Sequence, residues 1–267
     1  MHTKISTASS HIVEVNEACI HFNQGKAKGK IAVDHVSLTI SQGEIVGIVG
    51  TSGCGKTTLA RAIAGLQPLS AGDILFQGES IKGLNKAQRL NYCRRVQLVF
   101  QDTLGALNPR MTIEATLNEV LKVHRYKELP TATDRINVVK TLLDKVELPH
   151  SILQRYPHEI SGGQRQRIGI ARALAVKPTL LLADEPVSAL DVSVQAQIIK
   201  MLAKLIKSEG MTMIFIAHDL AVVRCLCDRV VVMNNGKIEE MGTCEEVYSN
   251  PQSEFTKNLL AAIPDIT

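Results

Sequence analysis

The feature that most constrains the fold is a glycine-rich loop, GTSGCGKT, at residues 50–57. It follows the apolar stretch EIVGIVG and precedes an apolar stretch with helical spacing, so we expect it to join a buried strand to a helix. Backbone N–H groups in such a loop bind phosphate, and a plain glycine turn would not need the Lys56-Thr57 pair. The loop therefore predicts a nucleotide site in which Lys56 contacts the β- and γ-phosphates and Thr57 ligates Mg²⁺. The residues of this region expected to bind the nucleotide are Gly50, Thr51, Ser52, Gly53, Cys54, Gly55, Lys56, Thr57 and Thr58.

A second segment, LLLADE at residues 180–185, adds two acidic residues after an apolar strand. Asp184 is expected to hold the Mg²⁺ shell through water, and Glu185 to orient or deprotonate an attacking water. An acidic pair at a strand end is common and weak alone. Together with the phosphate loop it predicts nucleotide hydrolysis.

Two further polar residues follow apolar strands, Gln101 after VQLVF and His218 after MTMIFIA. Ligands of open α/β sheets bind at the carboxyl ends of the strands. Either residue alone is more simply interpreted as a polar residue that ends a strand and hydrogen-bonds to the backbone of the following turn. With the other motifs present, both are expected to hold the attacking water or contact the γ-phosphate, and Gln101 also to reach the metal.

Short apolar strands and helical patterns alternate along the chain, which indicates an α/β architecture. Residues 103–177 have helical periodicity, and the strand–helix alternation returns after Pro178. The continuous apolarity of TLLLA and MTMIFIA favours a parallel sheet buried on both faces. A helix is expected from Lys56 to about Leu66. The expected N-terminal strands lie near residues 12–20, 36–40, 44–49, 73–76 and 96–100.

Composition excludes several classes of protein. At 267 residues the chain suits one large domain or two small ones, and a net charge of +4 is too small to indicate nucleic acid. The apolar runs are shorter than the roughly 20 residues that span a membrane, and no signal peptide is apparent, so we expect a cytosolic protein. The six cysteines show no disulfide framework. Cys225, Cys227 and Cys244 are interpreted as thiols that pack as small hydrophobes.

A second glycine-rich helix start, ISGGQ, occupies residues 160–164. Ser161 can cap the helix, and Gly162 and Gly163 let an anion approach the backbone. The residues alone leave open whether this segment serves the chain's own nucleotide or another chain's.

The order of these motifs resembles that of an ABC transporter nucleotide-binding subunit. FQDTLGALNPRMT at residues 100–112 and the stretch at 155–198 are similar to the oligopeptide/dipeptide/nickel import subfamily. The segments that carry the resemblance are residues 50–57, Gln101, ISGGQ, LLLADEP, SALD at 188–191, and His218.

The resemblance implies a P-loop NTPase (RecA-like) core with an antiparallel β-subdomain and an inserted helical subdomain. One ABC ATPase domain would cover residues 11–267. Its expected parts are a core at 11–102 and 178–247, a helical subdomain at about 103–177, and a C-terminal helical tail at 248–267.

The resemblance also implies partners and further site residues. Two cassettes would pack head to tail, so that Ser161, Gly162, Gly163 and Gln164 contact ATP held by a second, related ATPase subunit. Asp191 would join this nucleotide site, and Phe22 would stack on adenine, whereas the lysines in NQGKAKGK are interpreted as a solvated hairpin loop.

Two membrane permease subunits and, indirectly, an extracytoplasmic solute-binding protein would complete an importer at the cytoplasmic face of the inner membrane. Leu104, Leu107, Asn108 and Met111 would help to form the groove for a permease helix, although a surface loop is the plainer interpretation. Peptides and nickel or other metal chelates both remain open as substrates. The alternative function is a soluble ABC ATPase that acts on nucleic acid or ribosomes, but the chain shows no coiled coil, zinc module or second cassette.

Overall fold

The computed structural model describes residues 11–22, 30–101 and 103–262, with the backbone only at Thr103 and Leu104. Its strands form a four-stranded sheet of order β2-β1-β4-β5 and a six-stranded sheet of order β10-β9-β3-β8-β7-β6. The strands are β1 His11–Phe22, β2 Lys30–Ser41, β3 Ile45–Gly50, β4 Ala71–Phe76, β5 Glu79–Ser80, β6 Val96–Val99, β7 Leu180–Asp184, β8 Thr212–Ile216, β9 Arg229–Asn234 and β10 Lys237–Thr243.

The helices cover both faces of the larger sheet and build a separate helical layer in the middle of the chain. Ten α-helices lie within the described ranges, together with two short 3₁₀ turns at His150–Ile152 and Pro157–Glu159. The helices are α1 Lys56–Ile63, α2 Lys86–Arg95, α3 Thr103–Ala106, α4 Ile113–His124, α5 Ala132–Lys145, α6 Gly162–Leu174, α7 Val192–Glu209, α8 Leu220–Leu226, α9 Cys244–Ser249 and α10 Glu254–Ala261.

The six-stranded sheet is parallel from β9 through β6, and only β10 runs antiparallel to its neighbour. The carboxyl ends of β3, β6, β7 and β8 therefore meet at one edge. The residues that follow these strands are the phosphate loop, the segment containing Gln101, Glu185 and the segment containing His218. Strand direction alone thus gathers four sequence motifs in one place.

The buried strands divide their side chains between two cores. Leu181 and Phe215 pack with the helical layer, whereas Leu182 and Ile214 pack with the antiparallel sheet and α1. This alternation follows from the period of two residues along a strand. It explains the continuous apolarity of residues 180–183 and 213–216, as the sequence predicted.

Capping residues start the helices of the middle layer. Thr112 and Thr131 accept hydrogen bonds from backbone N–H groups in the first turns of α4 and α5. The apolar face of α4 buries Ile113, Leu117 and Leu121. The regular elements described between residues 103 and 177 are α3 to α6 and the two 3₁₀ turns, which agrees with the predicted helical periodicity. None of the helices in the described ranges is long and apolar enough to cross a membrane.

Several local predictions differ from the structure. Helix α1 ends at Ile63 rather than near Leu66, because Gly65 follows with a left-handed φ of 71°. Helix α2 was not predicted, since its sequence KAQRLNYCRR buries only Tyr92 and shows no apolar periodicity. Cys225 is exposed on α8, so its interpretation as a packed hydrophobic thiol was wrong. Cys227, just beyond the end of that helix, is buried as expected.

Candidate functional site

The phosphate loop passes so close to neighbouring backbone that two of its positions require glycine. A Cβ atom on Gly55 would lie 2.1 Å from the Ala32 carbonyl oxygen, and one on Gly50 would lie 2.0 Å from that of Met233. Both residues also have positive φ, 109° at Gly55 and 149° at Gly50. Packing against β2 and β9 therefore explains these glycines, apart from any contact with phosphate.

Lys56 begins α1 and its side chain is buried within the loop. Its ammonium Nζ donates hydrogen bonds to the carbonyl oxygens of Gly50, at 2.7 Å, and Thr51, at 2.9 Å. These bonds compensate the cost of removing the charge from water. The exposed residues Ser52 and Gly53 line the same cleft as Lys56.

The hydroxyl of Thr57 donates a 2.9 Å hydrogen bond to Oδ1 of Asp184, which joins the loop to the end of β7. Burial raises the pKa of the Asp184 carboxyl above its usual range, and the neighbouring Glu185 raises it further, while the hydrogen bond from Thr57 lowers it. The two side chains form a pair of oxygen donors beneath the loop.

Glu185 stands at the centre of a cluster of polar side chains. Its Oε2 accepts a 2.8 Å hydrogen bond from Gln101 Nε2 and lies 3.6 Å from Nδ1 of His218. Its backbone has a left-handed φ of 45°, and its N–H donates to the Ile216 carbonyl at 3.0 Å. The structure therefore brings together the three residues that were predicted to act on water.

Ser188 completes this cluster. Its hydroxyl donates to the Glu185 carbonyl at 3.1 Å and accepts from Gln101 Nε2 at 3.3 Å. The sequence included Ser188 only as the first letter of SALD. Nothing in the linear pattern indicated that it contacts both Gln101 and Glu185.

An open cleft connects the loop with this cluster. Phe22, at the end of β1, is 39% exposed and lines this cleft together with the loop. Lys30, the exposed first residue of β2, also lines the cleft. Residues 23–29, which include the other two lysines, lie outside the described residues. The full lining is Phe22, Lys30, Ala32, Ser52, Gly53, Gly55, Lys56, Thr57, Thr58, Gln101 and Glu185.

The ISGGQ segment lies apart from this lining. Ser161 is exposed and caps α6: its Oγ accepts from the Gln164 N–H at 3.2 Å, and Gln164 Oε1 accepts from the Ser161 N–H at 2.9 Å. A Cβ on Gly163 would lie 2.6 Å from Val194 Cγ1, so this glycine permits close packing of α6 on α7. Asp191 is the exposed residue before α7. The structure does not place these residues in the chain's own cleft.

The predicted permease groove needs a correction at Leu107. This side chain is 2% exposed and belongs to the helical core, so it is not available to a partner. Asn108 is exposed and Met111 half-buried, and the side chain of Leu104 lies outside the described residues. An open groove beside this segment is instead lined by Leu66, Phe100 and Ala106 among others. Phe100 and Leu66 are 40% and 55% exposed.

Comparisons with known proteins agree with this architecture. The ABC transporter family model matches residues 33–188. The oligopeptide transport ATP-binding proteins OppF of Streptococcus mutans and Bacillus subtilis are 48% and 45% identical to the chain over 254 residues, which cover 95% of it and 82% of each relative. The dipeptide transport ATP-binding protein DppF of Lactococcus lactis is 45% identical over 97% of the chain and 83% of its own length.

Solved structures give the same result. The ATP-binding cassette MJ0796, in a dimeric post-hydrolysis state bound to ADP and Pi, superposes with a TM-score of 0.78 at 29% identity and covers 87% of this chain and 98% of its own. The fold and the cleft are those of a P-loop ATPase. The chain belongs to the ABC transporter family, as an ATP-hydrolysing cassette. The predicted fold class is confirmed, and the alternative of an ATPase acting on nucleic acid or ribosomes is not favoured.

Proposed function

We propose that the chain hydrolyses ATP to power the uptake of peptides through partner permease subunits, as a peripheral protein on the cytoplasmic face of the cell membrane. The observation that carries the proposal is the set of relatives named for oligopeptide, dipeptide or peptide import, which are 45–48% identical over about 95% of the chain. The sequence left peptides and nickel open as substrates. These names favour peptides.

In the proposed reaction, Glu185 is the general base for the water that attacks the γ-phosphate. Gln101 and His218 both contact its carboxylate and orient the water. Lys56 and the N–H groups of the loop stabilise the charge that develops on the phosphate oxygens. Phe22 stacks on the adenine.

The donor set beneath the loop suits Mg²⁺, which prefers oxygen ligands. The Thr57 hydroxyl and the Asp184 carboxylate are 2.9 Å apart, and the Gln101 amide lines the same cleft. We assign the cation to these residues. When bound, Mg²⁺ neutralises charge on the β- and γ-phosphates.

Residues 161–164 and Asp191 act on the nucleotide of a partner cassette. Two observations support this role: Ser161 is exposed outside the chain's own cleft, and the related cassette MJ0796 is a dimer. The partner is a related ATPase subunit, and two permease subunits with a solute-binding protein complete the importer. The groove at Leu66, Phe100 and Ala106 receives a permease helix.

Cross-linking tests the partner site. Cys54 is only 4% exposed, so we choose Ser52→Cys in a background with Cys54→Ala and with the accessible Cys93 and Cys225 replaced by serine, and place a second cysteine at the partner's signature serine. A short bifunctional thiol reagent should join the two chains more efficiently with ATP and Mg²⁺ than without them. The matched control is a cysteine at exposed Glu119, which should not cross-link. Equal yield with and without ATP would contradict the assignment.

Growth of a deletion strain tests the substrate. In an amino-acid auxotroph that lacks this gene, growth on an oligopeptide as the only source of the required amino acid should fail. The intact gene should restore growth, and Lys56→Ala should not. Normal growth of the deletion strain on peptide, with a loss of nickel uptake, would overturn the peptide assignment.

A further inference from the structure

The antiparallel sheet carries a cluster of possible metal ligands away from the ATP cleft. Cys19 on β1 and Asp34 and His35 on β2 each offer one ligand atom, and these atoms lie within 4.8 Å of one another. Nδ1 of His35 is 2.7 Å from Oδ1 of Asp34, and the Cys19 sulfur accepts a 3.3 Å hydrogen bond from the His35 backbone N–H. None of the three lines the cleft.

An irregularity in strand pairing creates the cluster. In a regular strand Asp34 and His35 would point to opposite faces. Here Ala18 pairs with Val36 and Ile20 with Val33, so β2 contains one residue more than the facing part of β1. His35 takes up the difference with a left-handed φ of 49°, which is uncommon for a residue other than glycine. Such a bulge redirects side chains, and this one places the imidazole of His35 within hydrogen-bonding distance of the Asp34 carboxylate.

The three donors differ in exposure. Cys19 is 2% exposed, Asp34 is half-buried and His35 is exposed. The thiol therefore has a fixed position, whereas the imidazole and carboxylate can rotate towards it. Lys237, at the start of β10, is the cation that faces the cluster, with Nζ 3.3 Å from Oδ2 of Asp34. This ion pair leaves Oδ1 on the side of the histidine.

We propose that Cys19, Asp34 and His35 bind a divalent transition-metal cation of the zinc class, with a water as the fourth ligand. Thiolate, imidazole and carboxylate are the donors that Zn²⁺ takes in proteins, and three protein ligands leave an open position. Mg²⁺ and Ca²⁺ do not fit because a thiolate is too soft for them. Binding releases the thiol proton to solvent, and the thiolate and carboxylate balance the charge of the metal.

Cobalt titration of the purified full-length chain tests the site, because a thiolate bound to Co²⁺ gives a charge-transfer absorption in the near ultraviolet. Cys93 and Cys225, which are the accessible thiols, are replaced by serine in the starting protein. We expect saturable binding of Co²⁺ that Zn²⁺ displaces and that excess Mg²⁺ with ATP does not. Absence of the band would overturn the proposal.

Single substitutions locate the site. Cys19→Ser should abolish the band, whereas the matched control Cys54→Ala should retain it. Asn tolerates positive φ and position 35 is exposed, so His35→Asn should fold normally. It should weaken Co²⁺ binding by more than about tenfold. If Cys19→Ser fails to fold, His35→Asn decides alone, and unchanged affinity in that variant would refute the site. Lys237→Ala removes a competing cation and should tighten binding by about three- to tenfold. Unchanged or weaker binding would contradict the role of Asp34.

Discussion

At the scale of single residues, the contacts and backbone conformation of Glu185 distinguish it from the many acidic residues that end strands in other proteins. Its left-handed backbone turns the side chain out of the line of β7, and Gln101 and His218 both contact Oε2. The sequence was sufficient to predict this group, because each member lies within two residues of the carboxyl end of a parallel strand. It was not sufficient for Ser188, whose contacts with Gln101 and Glu185 depend on how the segment after β7 folds.

Ser188 is a positioning residue whose removal should slow hydrolysis without weakening ATP binding. Ser188→Ala deletes one hydrogen bond to Gln101 and one to the Glu185 carbonyl, so the base and amide lose a shared support. At about 1 kcal/mol for a typical hydrogen bond, we expect a fall in kcat of about fivefold with little change in KM. Steady-state phosphate release measures both constants. Ser188→Thr, which keeps the hydroxyl, should recover most of the activity, and a rise in KM alone would contradict the positioning role.

Asp184 should reduce the stability of the unliganded protein at neutral pH. Its carboxyl is buried and its pKa is raised, so the folded state binds a proton more tightly than the unfolded state does. The contribution of Asp184 to the free energy of unfolding therefore falls as pH rises from the pKa of this carboxyl in the unfolded state through its pKa in the folded state. Asp184→Asn should raise the thermal midpoint at pH 7 by a few degrees, on the order of 1 kcal/mol. This advantage should shrink as pH is lowered and the wild-type carboxyl takes up its proton.

Thermal denaturation followed by circular dichroism, at several pH values and without nucleotide, checks this expectation. Asp73→Asn is a comparison at a half-buried aspartate of β4 outside the cleft. A lower midpoint for Asp184→Asn at pH 7 would show that the carboxylate stabilises the fold.

At the scale of secondary-structure elements, the sequence predicted the buried strands and the helical middle region better than it predicted α2 and the segment after Gln101. Strands β7 and β8 are buried at every position, and their continuous apolar stretches at residues 180–183 and 213–216 made both strands recognisable in the sequence. Helix α2 depends on an Asn85 capping box and buries only Tyr92. Leu107 was predicted to line the permease groove, yet tertiary packing places it in the core.

Substitutions at Phe100 and Leu107 can distinguish the exposed groove from the buried core. Phe100→Asp, at a side chain that is 40% exposed in the groove, should preserve the thermal midpoint and ATP binding while abolishing peptide uptake. Leu107→Asp places a charge in the core and should unfold the protein or lower its midpoint strongly, by several kcal/mol. Thermal scans, binding of a fluorescent nucleotide and uptake assays distinguish the two outcomes. Normal uptake with Phe100→Asp would exclude this groove as the permease site.

At the scale of the whole molecule, the two glycine-rich helix starts have different surroundings. The loop at residues 50–57 closes around Lys56 and faces the cleft, whereas the ISGGQ segment caps α6 at an exposed position. The sequence predicted both as phosphate sites, but the residues alone left open whether they serve the same nucleotide, and we propose that they serve different ones. That distinction depends on the tertiary arrangement and on a second cassette, neither of which a linear motif contains.

The central claim is that hydrolysis at Glu185 drives peptide import. The most direct measurement is peptide uptake and ATP hydrolysis in proteoliposomes that contain the complete transporter, with wild-type chain, Glu185→Gln and the matched control Glu119→Gln. Glu185→Gln should keep ATP binding, because Lys56 and the loop are intact, and should lose both hydrolysis and uptake by about 10²-fold or more. Glu119→Gln should behave as wild type. Peptide uptake and hydrolysis at near wild-type rates with Glu185→Gln would contradict the account.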